Sequence, residues 1–574
     1  MSFAFEMGRN SAIANFTRQY CQTETEVLAS EGFNKVLTSY LTWIEKRQTR
    51  TYQFLTQYYS PEEIGTELHR LFKLLLVFEA CEIRGETYQA ILAEKHGVIE
   101  VIEEFYDYWR SLERYAVIYN SEHRHTTGLQ ARQFLETNTD FANLILSMYR
   151  QIEETIQGHH HQVYRQLIAG VNAGMIVHQP KTQLPEQYAF LEQTAMIESV
   201  VLHPPFITYP AQTTRNGLFN EVTENPLHAS EYQAKQFFCF PVKVGSLLAF
   251  VYFHRDFMAQ GITLANLFEI ATPTDTATRK PDLIYVYGMP ETNGQQACFY
   301  HDQEEAMYFG YTTYNEAHDY FGYMKKMLLT LHNVAMINQG KLPLHGAMAQ
   351  IEFFDGKQAN VVIIGDSGAG KSETLEALRT ASEGIIRQMT IMFDDMGTLQ
   401  LDKEGNIVAT GTEIGAFVRL DDLDTGYAYR QIDRSVFMNP DKVNARLVIP
   451  IATYKEIMTP QPIDLFLYAN NYEHGEALDF FTDVASAQDV FVAGARMAKG
   501  TTQEVGLVKS YFANPFGPVQ RQEQTDGLLD QYFTALFDQD IQIGQIRTEL
   551  GFAESVQTGP AKAAQALLTY LQNK

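Results

Sequence analysis

A chain of 574 residues, 45% of them hydrophobic, is long enough for two to four domains with substantial cores, which excludes a small or intrinsically disordered protein. Lysine and arginine number 44 against 69 acidic residues, a formal charge of −25 that argues against a broad polyanion-binding surface, and so against nucleic acid, while leaving room for one basic nucleotide pocket. Cys21, Cys81, Cys239 and Cys298 lie far apart without C-x-x-C spacing, so neither a disulfide framework nor a zinc ribbon is indicated and a reducing cytoplasm is the natural setting.

The N-terminus lacks the basic-then-apolar order of a secretory signal, and LFKLLLVFEA at 71–80 is too short to span a bilayer, so a soluble protein without a membrane partner is expected. From residue 1 to about 177 the only proline is Pro61, and Val27, Phe33, Val36, Leu37, Tyr40, Leu41 and Ile44 recur at helical spacing. An all-helical N-terminal bundle over 1–185 is expected, with a capping box at Ser60-Pro61-Glu62-Glu63 starting one helix. His159, His160 and His161, with His123 and His125 upstream, read as a solvated face rather than a metal site, because adjacent helical positions diverge. The aromatic run through Phe105, Tyr106, Tyr108, Trp109, Tyr115 and Tyr119 reads as core or partner surface.

Pro180, Pro185, Pro204, Pro205, Pro210 and Pro226 then break the helical texture, and apolar runs from Phe237, Ser246, Leu283 and Ala297 read as strands of an α/β domain over 186–340. Residues 341–574 form the expected nucleotide-binding domain, with a helical end from Thr525 packing back on the sheet. Its centre is VVIIGDSGAGKSETLEAL, residues 361–378, where a buried strand runs into G-x-x-x-x-G-K-[ST] and then a helix. The backbone N–H groups of Gly365, Asp366, Ser367, Gly368, Ala369 and Gly370 can curl around phosphates, and the helix adds its positive end. Lys371 is placed for the β- and γ-phosphates, Ser372 for the nucleotide's divalent ion, and Asp394 and Asp395, at an expected strand end, for that ion's water shell.

Upstream, Tyr320-Phe-Gly-Tyr-Met-Lys-Lys and Leu344-His345-Gly346 resemble the metal-site segments of ATP-type phosphoenolpyruvate carboxykinases, Y-x-G-E-M-K-K-G and M-H-C-S-A, and the separation of Lys326 from His345, 345 − 326 = 19 positions, agrees. Glu413-Ile-Gly-Ala-Phe-Val-Arg419, Asn444-Ala-Arg446-Leu-Val-Ile-Pro, Ala493-Gly-Ala-Arg-Met-Ala-Lys and Phe512-Ala-Asn-Pro-Phe-Gly extend the resemblance, in order, over about 280–540. The resemblance implies a P-loop carboxykinase-like α/β core and a metal bound by Lys326, His345 and Asp395. A lysine ligand must bind as the neutral amine, so nearby positive charge and burial have to lower its pKa. Arg446 would face the γ-phosphate, Arg419 would neutralise phosphate charge, and Arg215, with Tyr320, is the nearest counterpart of the substrate residues. Three departures stand out: Tyr323 replaces a glutamate, Gly346 replaces a cysteine, and D-D-E-H-G-W is reduced to Asp394-Asp395-Met-Gly.

The expected activity is conversion of oxaloacetate and ATP to phosphoenolpyruvate, CO2 and ADP, with Mg²⁺ on the nucleotide at Ser372 and Mn²⁺ at the nitrogen-rich trio. The spelling G-D-S-G-A-G-K-S-E-T resembles HPr kinase/phosphorylase instead, which leaves open a kinase acting on a small-molecule or protein hydroxyl. A nucleotide-binding interaction protein, with a protein partner or self-association through the helical domain, is the third alternative.

Overall fold

The helical spacing of the first third is realised in Glu31–Arg47, Ile64–Leu75, Lys95–Ser111 and Gly128–Gln157, which bury Tyr40, Ile44, Leu68, Leu71, Val98 and Ile156 in one core. The structure, a computed structural model, describes every residue except 1–2, 121–127, 216, 228–230, 292–293, 295, 383, 421–424, 499–505, 557 and 574. His123 and His125 therefore lie outside the described residues. Two compact units emerge, residues 1–179 with 195–206, and residues 180–194 with 207–574. Residues 207–340 and 341–574, expected as parts of separate domains, share the second unit.

The first unit is not all-helical. An antiparallel hairpin, Phe5–Met7 with Ser11–Asn15, continues through parallel strands Glu113–Asn120 and Ala173–His178 to antiparallel Ala195–Leu202. Two of these strands are too short for a period to show, and Glu113–Asn120 follows directly on a helix whose aromatic stripe masks the change from period 3.6 to 2. Ser60 does not cap a helix with its side chain either: its hydroxyl donates to Glu63 Oε2 at 2.7 Å, and the helix begins at Ile64. His159, His160 and His161 lie beyond the end of Gly128–Gln157 rather than on a helix; His159 and His160 are solvated as expected, and His160 and His161 face Glu154 and Glu153 at 2.7 and 2.9 Å.

Arg114, 2% exposed, locks sheet to helix in this unit. Its Nε donates to Gly170 O at 2.6 Å, and its Nη1 donates to the carbonyls of Trp109, Arg110 and Leu112 at the C-terminus of Lys95–Ser111, where the helix dipole favours a cation.

In the second unit one sheet runs Phe237–Val244, Leu247–His254, Leu283–Met289, Met307–Thr313, Ala297–Asp302 and Asn220–Val222. A second has the order Gln461–Pro462, Ile407–Gly411, Ile386–Leu401, Leu342–Phe353, Gln358–Ile364, Leu465–Asn470, Gln542–Arg547 and Leu478–Phe480. Helix Phe321–Asn338, buried along almost its whole length, packs on strands of both sheets. The run at 361–364 is apolar throughout because both of its faces are covered. Val361 and Ile363 pack toward Lys371–Ala381 and Gly559–Asn573, while Val362 and Ile364 pack toward Val484–Ala493 and Gln522–Asp538. The C-terminal end is not wholly helical: Gln542–Arg547 is a strand parallel to Leu465–Asn470, hidden in the sequence by its glutamines and glycine. The chain is thus a mixed α/β protein, and among the described residues no helix is long and apolar enough to cross a membrane.

Both tryptophans, Trp43 and Trp109, fall in the first unit, so urea unfolding followed by tryptophan fluorescence reports on it alone. Arg114→Met, which strips four carbonyls of their donor, should cost about 3 kcal/mol or more. A loss below about 1 kcal/mol would show that the guanidinium does not hold the unit together.

Candidate functional site

Between strand Gln358–Ile364 and helix Lys371–Ala381 the chain turns through Gly368 and Gly370, both at positive φ (80° and 103°). A Cβ at Gly370 would also strike Thr548 at 2.6 Å, so this position requires glycine twice over. The loop is braced from outside: Thr548 Oγ1 donates to Ala369 O at 2.6 Å, Asn471 Nδ2 to Gly368 O at 3.1 Å, and Arg496 Nε to Asp366 Oδ2 at 2.8 Å. Ser367 N–H donates to the other Asp366 oxygen at 2.7 Å. Burial pushes the Asp366 carboxyl up, but His345 and Arg496 outweigh it and hold it below the usual carboxylate range. Lys371 Nζ donates to Gly365 O at 2.7 Å and Asp366 O at 3.2 Å, and Ser372 Oγ donates to Asp394 Oδ1 at 2.9 Å. Burial, reinforced by Asp395, leaves the Asp394 carboxyl above its ordinary range despite Lys371.

Asp395 is the hub. It sits within strand Ile386–Leu401 rather than at a strand end, at a φ of 108° that few non-glycine residues adopt. Its Oδ2 accepts from Lys326 Nζ at 2.7 Å and lies 2.6 Å from Lys325 Nζ, while its Oδ1 lies 2.8 Å from His345 Nε2. Burial pushes Asp395 up, but Lys325, Lys326 and His345 together hold it well below its ordinary range. Burial and Lys325 lower Lys326 more than Asp395 raises it, the direction a neutral amine ligand requires.

His345 decides whether a cation fits here. Its Nδ1 lies 2.7 Å from Ala513 O, and a carbonyl can only accept, so Nδ1 carries the proton. Burial and the nearby Lys371 lower the imidazole more than Asp395 raises it, and Nε2 lies 2.8 Å from Asp395 Oδ1. A proton or a metal ion can bridge that contact, and a backbone carbonyl fixing the far ring nitrogen is the usual support of a metal-binding histidine. Lys326, His345 and Asp395 thus bring together two nitrogens and a carboxylate that could hold a divalent ion. Among the described residues no group of three or more His, Cys, Asp and Glu side chains could hold a metal. Gly346, next to the histidine, pairs with both Asp395 and Ile364, and a Cβ there would meet Ile363 O at 2.7 Å, which accounts for glycine where the carboxykinase pattern has cysteine.

Two aromatic rings extend the hub. Lys326 Nζ and Arg215 Cζ lie 4.7 and 5.3 Å from the Phe516 ring, so the structure brings Arg215 beside the trio, where burial lowers it although the phenols of Tyr323 and Tyr320 favour its charge. Tyr320 is itself buried, its ring 6.0 Å from Phe417. Lys325 Nζ and Arg446 Cζ lie 5.6 and 5.1 Å from the Phe417 ring, and Arg446 stands opposite Arg419 in paired strands Gly415–Arg419 and Arg446–Pro450. Among the described residues no hydrogen bond or ion pair joins Arg446 to the loop; its Nη2 donates to Asn444 Oδ1 at 2.8 Å.

Sequence reasoning missed Lys325, which is fully buried and 2.9 Å from Glu413 Oε1, and it missed Glu413, Arg496, Asn471, Thr548 and Phe516. The two-lysine pair and the Phe512-Ala-Asn-Pro-Phe516 segment were visible as spellings, but only folding shows what each side chain faces. No protein-family model matches this chain, and no curated protein matches it.

Burial pushes the Glu413 carboxyl up to about 7, with Lys325 offsetting only part of the shift. The folded chain thus keeps a proton there at pH values where the unfolded chain, with a pKa of about 4.3, has lost it, so this group's contribution to stability falls as pH rises from about 4.3 through about 7. Glu413→Gln removes that slope. The melting temperature of the variant should gain on that of the wild type between pH 5 and pH 8, and parallel profiles would contradict the assignment.

Proposed function

We propose that this chain is an ATP-dependent, carboxykinase-like phosphotransferase that converts oxaloacetate and ATP to phosphoenolpyruvate, CO2 and ADP, its second sheet forming a P-loop carboxykinase-like core. The observation that carries the proposal is the convergence of His345 Nε2 and Lys326 Nζ on Asp395, one strand away from Lys371 and Ser372. A phosphate loop alone would suit any nucleotide enzyme; a second, nitrogen-rich cation site beside it suits chemistry on a substrate oxygen.

Lys371 and the loop N–H groups hold the β- and γ-phosphates, and Ser372 with Asp394 serves the nucleotide's Mg²⁺. A divalent ion such as Mn²⁺, held by Lys326, His345 and Asp395, would supply Lewis-acid polarisation of the substrate carbonyl. Arg215, held against Phe516 and Phe219, binds a substrate carboxylate. Cleavage of the C–C bond releases CO2 and leaves its electron pair on an enolate, whose oxygen takes the γ-phosphoryl group as the P–O bond to ADP breaks. Arg446 and Arg419 offset the phosphate charge.

The loop spelling G-D-S-G-A-G-K-S-E-T favours a second reading, transfer to a small-molecule or protein hydroxyl, in which the same trio orients that acceptor. Nucleotide consumption with Mg²⁺ and Mn²⁺, measured on oxaloacetate against a panel of hydroxyl acceptors, separates the two. The expected result is ADP, phosphoenolpyruvate and CO2 in equal amounts, a loss of about 10³-fold in folded Lys371→Ala, and an altered Mn²⁺ requirement in His345→Ala. Turnover on a hydroxyl acceptor alone would replace the carboxykinase reading, and a fully active Lys371→Ala would overturn both.

A further inference from the structure

Within the first unit, helices Glu31–Arg47, Lys95–Ser111 and Gly128–Gln157 and the N-terminal hairpin line a pocket of about 120 Å³ that is open on one side. Its walls are almost entirely carbon, with Phe33, Phe72, Phe105, Trp109, Phe141 and Ile145 among them. An apolar pocket leaves its walls short of dispersion contacts, so a guest of matching shape gains what the walls have lost. Size narrows the guest: a cavity of roughly 150 Å³ with an apolar lining takes up benzene, whereas drug-sized ligands need roughly 300 Å³ or more.

Among the described residues of the lining, one buried side-chain oxygen lacks a partner. Ser30 Oγ accepts from Phe33 N–H at 3.0 Å, Trp109 Nε1 donates to Ala169 O at 2.7 Å, and the Tyr149 hydroxyl donates to Glu103 at 2.5 Å. Tyr106, 5% exposed and stacked on Tyr149 at 4.1 Å, has its hydroxyl buried with no hydrogen-bond partner among the described residues. Buried hydroxyls in native proteins are rarely left that way. Half-buried Ala14, Phe16 and Cys21 and exposed Gln19 complete the lining and give a way in.

We propose that this cavity binds a single-ring aromatic, or a comparably small apolar molecule, carrying one hydrogen-bonding group that partners the Tyr106 hydroxyl; phenol is the simplest example. The site is independent of the nucleotide chemistry of the second unit.

Toluene and phenol titrated into the full chain test it, read by the methionine-methyl NMR spectrum with the wall residue Met148 assigned through Met148→Leu. Both probes should shift the Met148 signal saturably. The shift should vanish in Ala14→Leu and in Ile145→Phe, which fill the cavity, while the melting temperature of at least one of them stays at or above the wild-type value. Tyr106→Phe should weaken phenol by about tenfold and leave toluene unchanged. An unmoved Met148 signal at saturating probe, or a shift that survives in a folded filling variant, would overturn the site. Equal phenol affinity in wild type and Tyr106→Phe would overturn the role of the hydroxyl.

Discussion

One carboxylate, Asp395, meets two lysines and an imidazole inside the protein, and the rest of the candidate site is arranged around that encounter. Taking so many ionisable groups out of water is expensive, and apolar residues of the same volume would often serve stability as well or better. The cluster's composition is therefore better matched to the proposed chemistry than to stability alone. Its charges are also graded. Lys325 is held protonated between Asp395 and Glu413, while burial pulls Lys326 and His345 toward their neutral forms. Removing any one partner redistributes the charge of all the others, because they share one low-dielectric pocket.

The second sheet sets these distances. Strand Leu342–Phe353 lies between the phosphate-loop strand and the acidic strand, so that Gly346 faces Ile364 on one side and Asp395 on the other. That register places His345 and Asp395 across the strand pair and brings Asp394 to Ser372. The positive φ at Asp395 belongs to the same design. A left-handed residue within a long strand turns its side chain away from the regular alternation, at a cost of about 1–3 kcal/mol that the surrounding contacts must sustain. Helix Phe321–Asn338, packed on strands of both sheets, delivers Lys325 and Lys326 to this pocket and leaves neither in bulk water.

Part of this was legible in the sequence. The run Val361-Val-Ile-Ile364 announces a strand covered on both faces, and the glycine pattern after it announces a phosphate-sized turn, because both depend on neighbours a few residues away. The helices of the first third were equally visible through Tyr40 and its periodic companions. The strands of the first unit and Gln542–Arg547 were not, since short strands and strands rich in glutamine are made by their partners rather than by their own residues. The same holds in the site. Arg215 and Phe516 lie about 300 positions apart in sequence and meet only in the fold, and nothing local to Asp395 signals its backbone conformation. Arg446, by contrast, was singled out by its spelling, yet its contact with the rest of the cluster runs through the ring of Phe417.

The central claim is that Lys326 and His345 give nitrogen ligands to a divalent ion that shares Asp395. Pulsed EPR of the Mn²⁺ complex with ATP, on protein carrying ¹⁵N-labelled lysine or ¹⁵N-labelled histidine, addresses it without relying on turnover. The expected spectrum shows coupling to one lysine nitrogen and one histidine nitrogen, with the histidine coupling absent from His345→Ala. Manganese that binds with the nucleotide but couples to no protein nitrogen would contradict it.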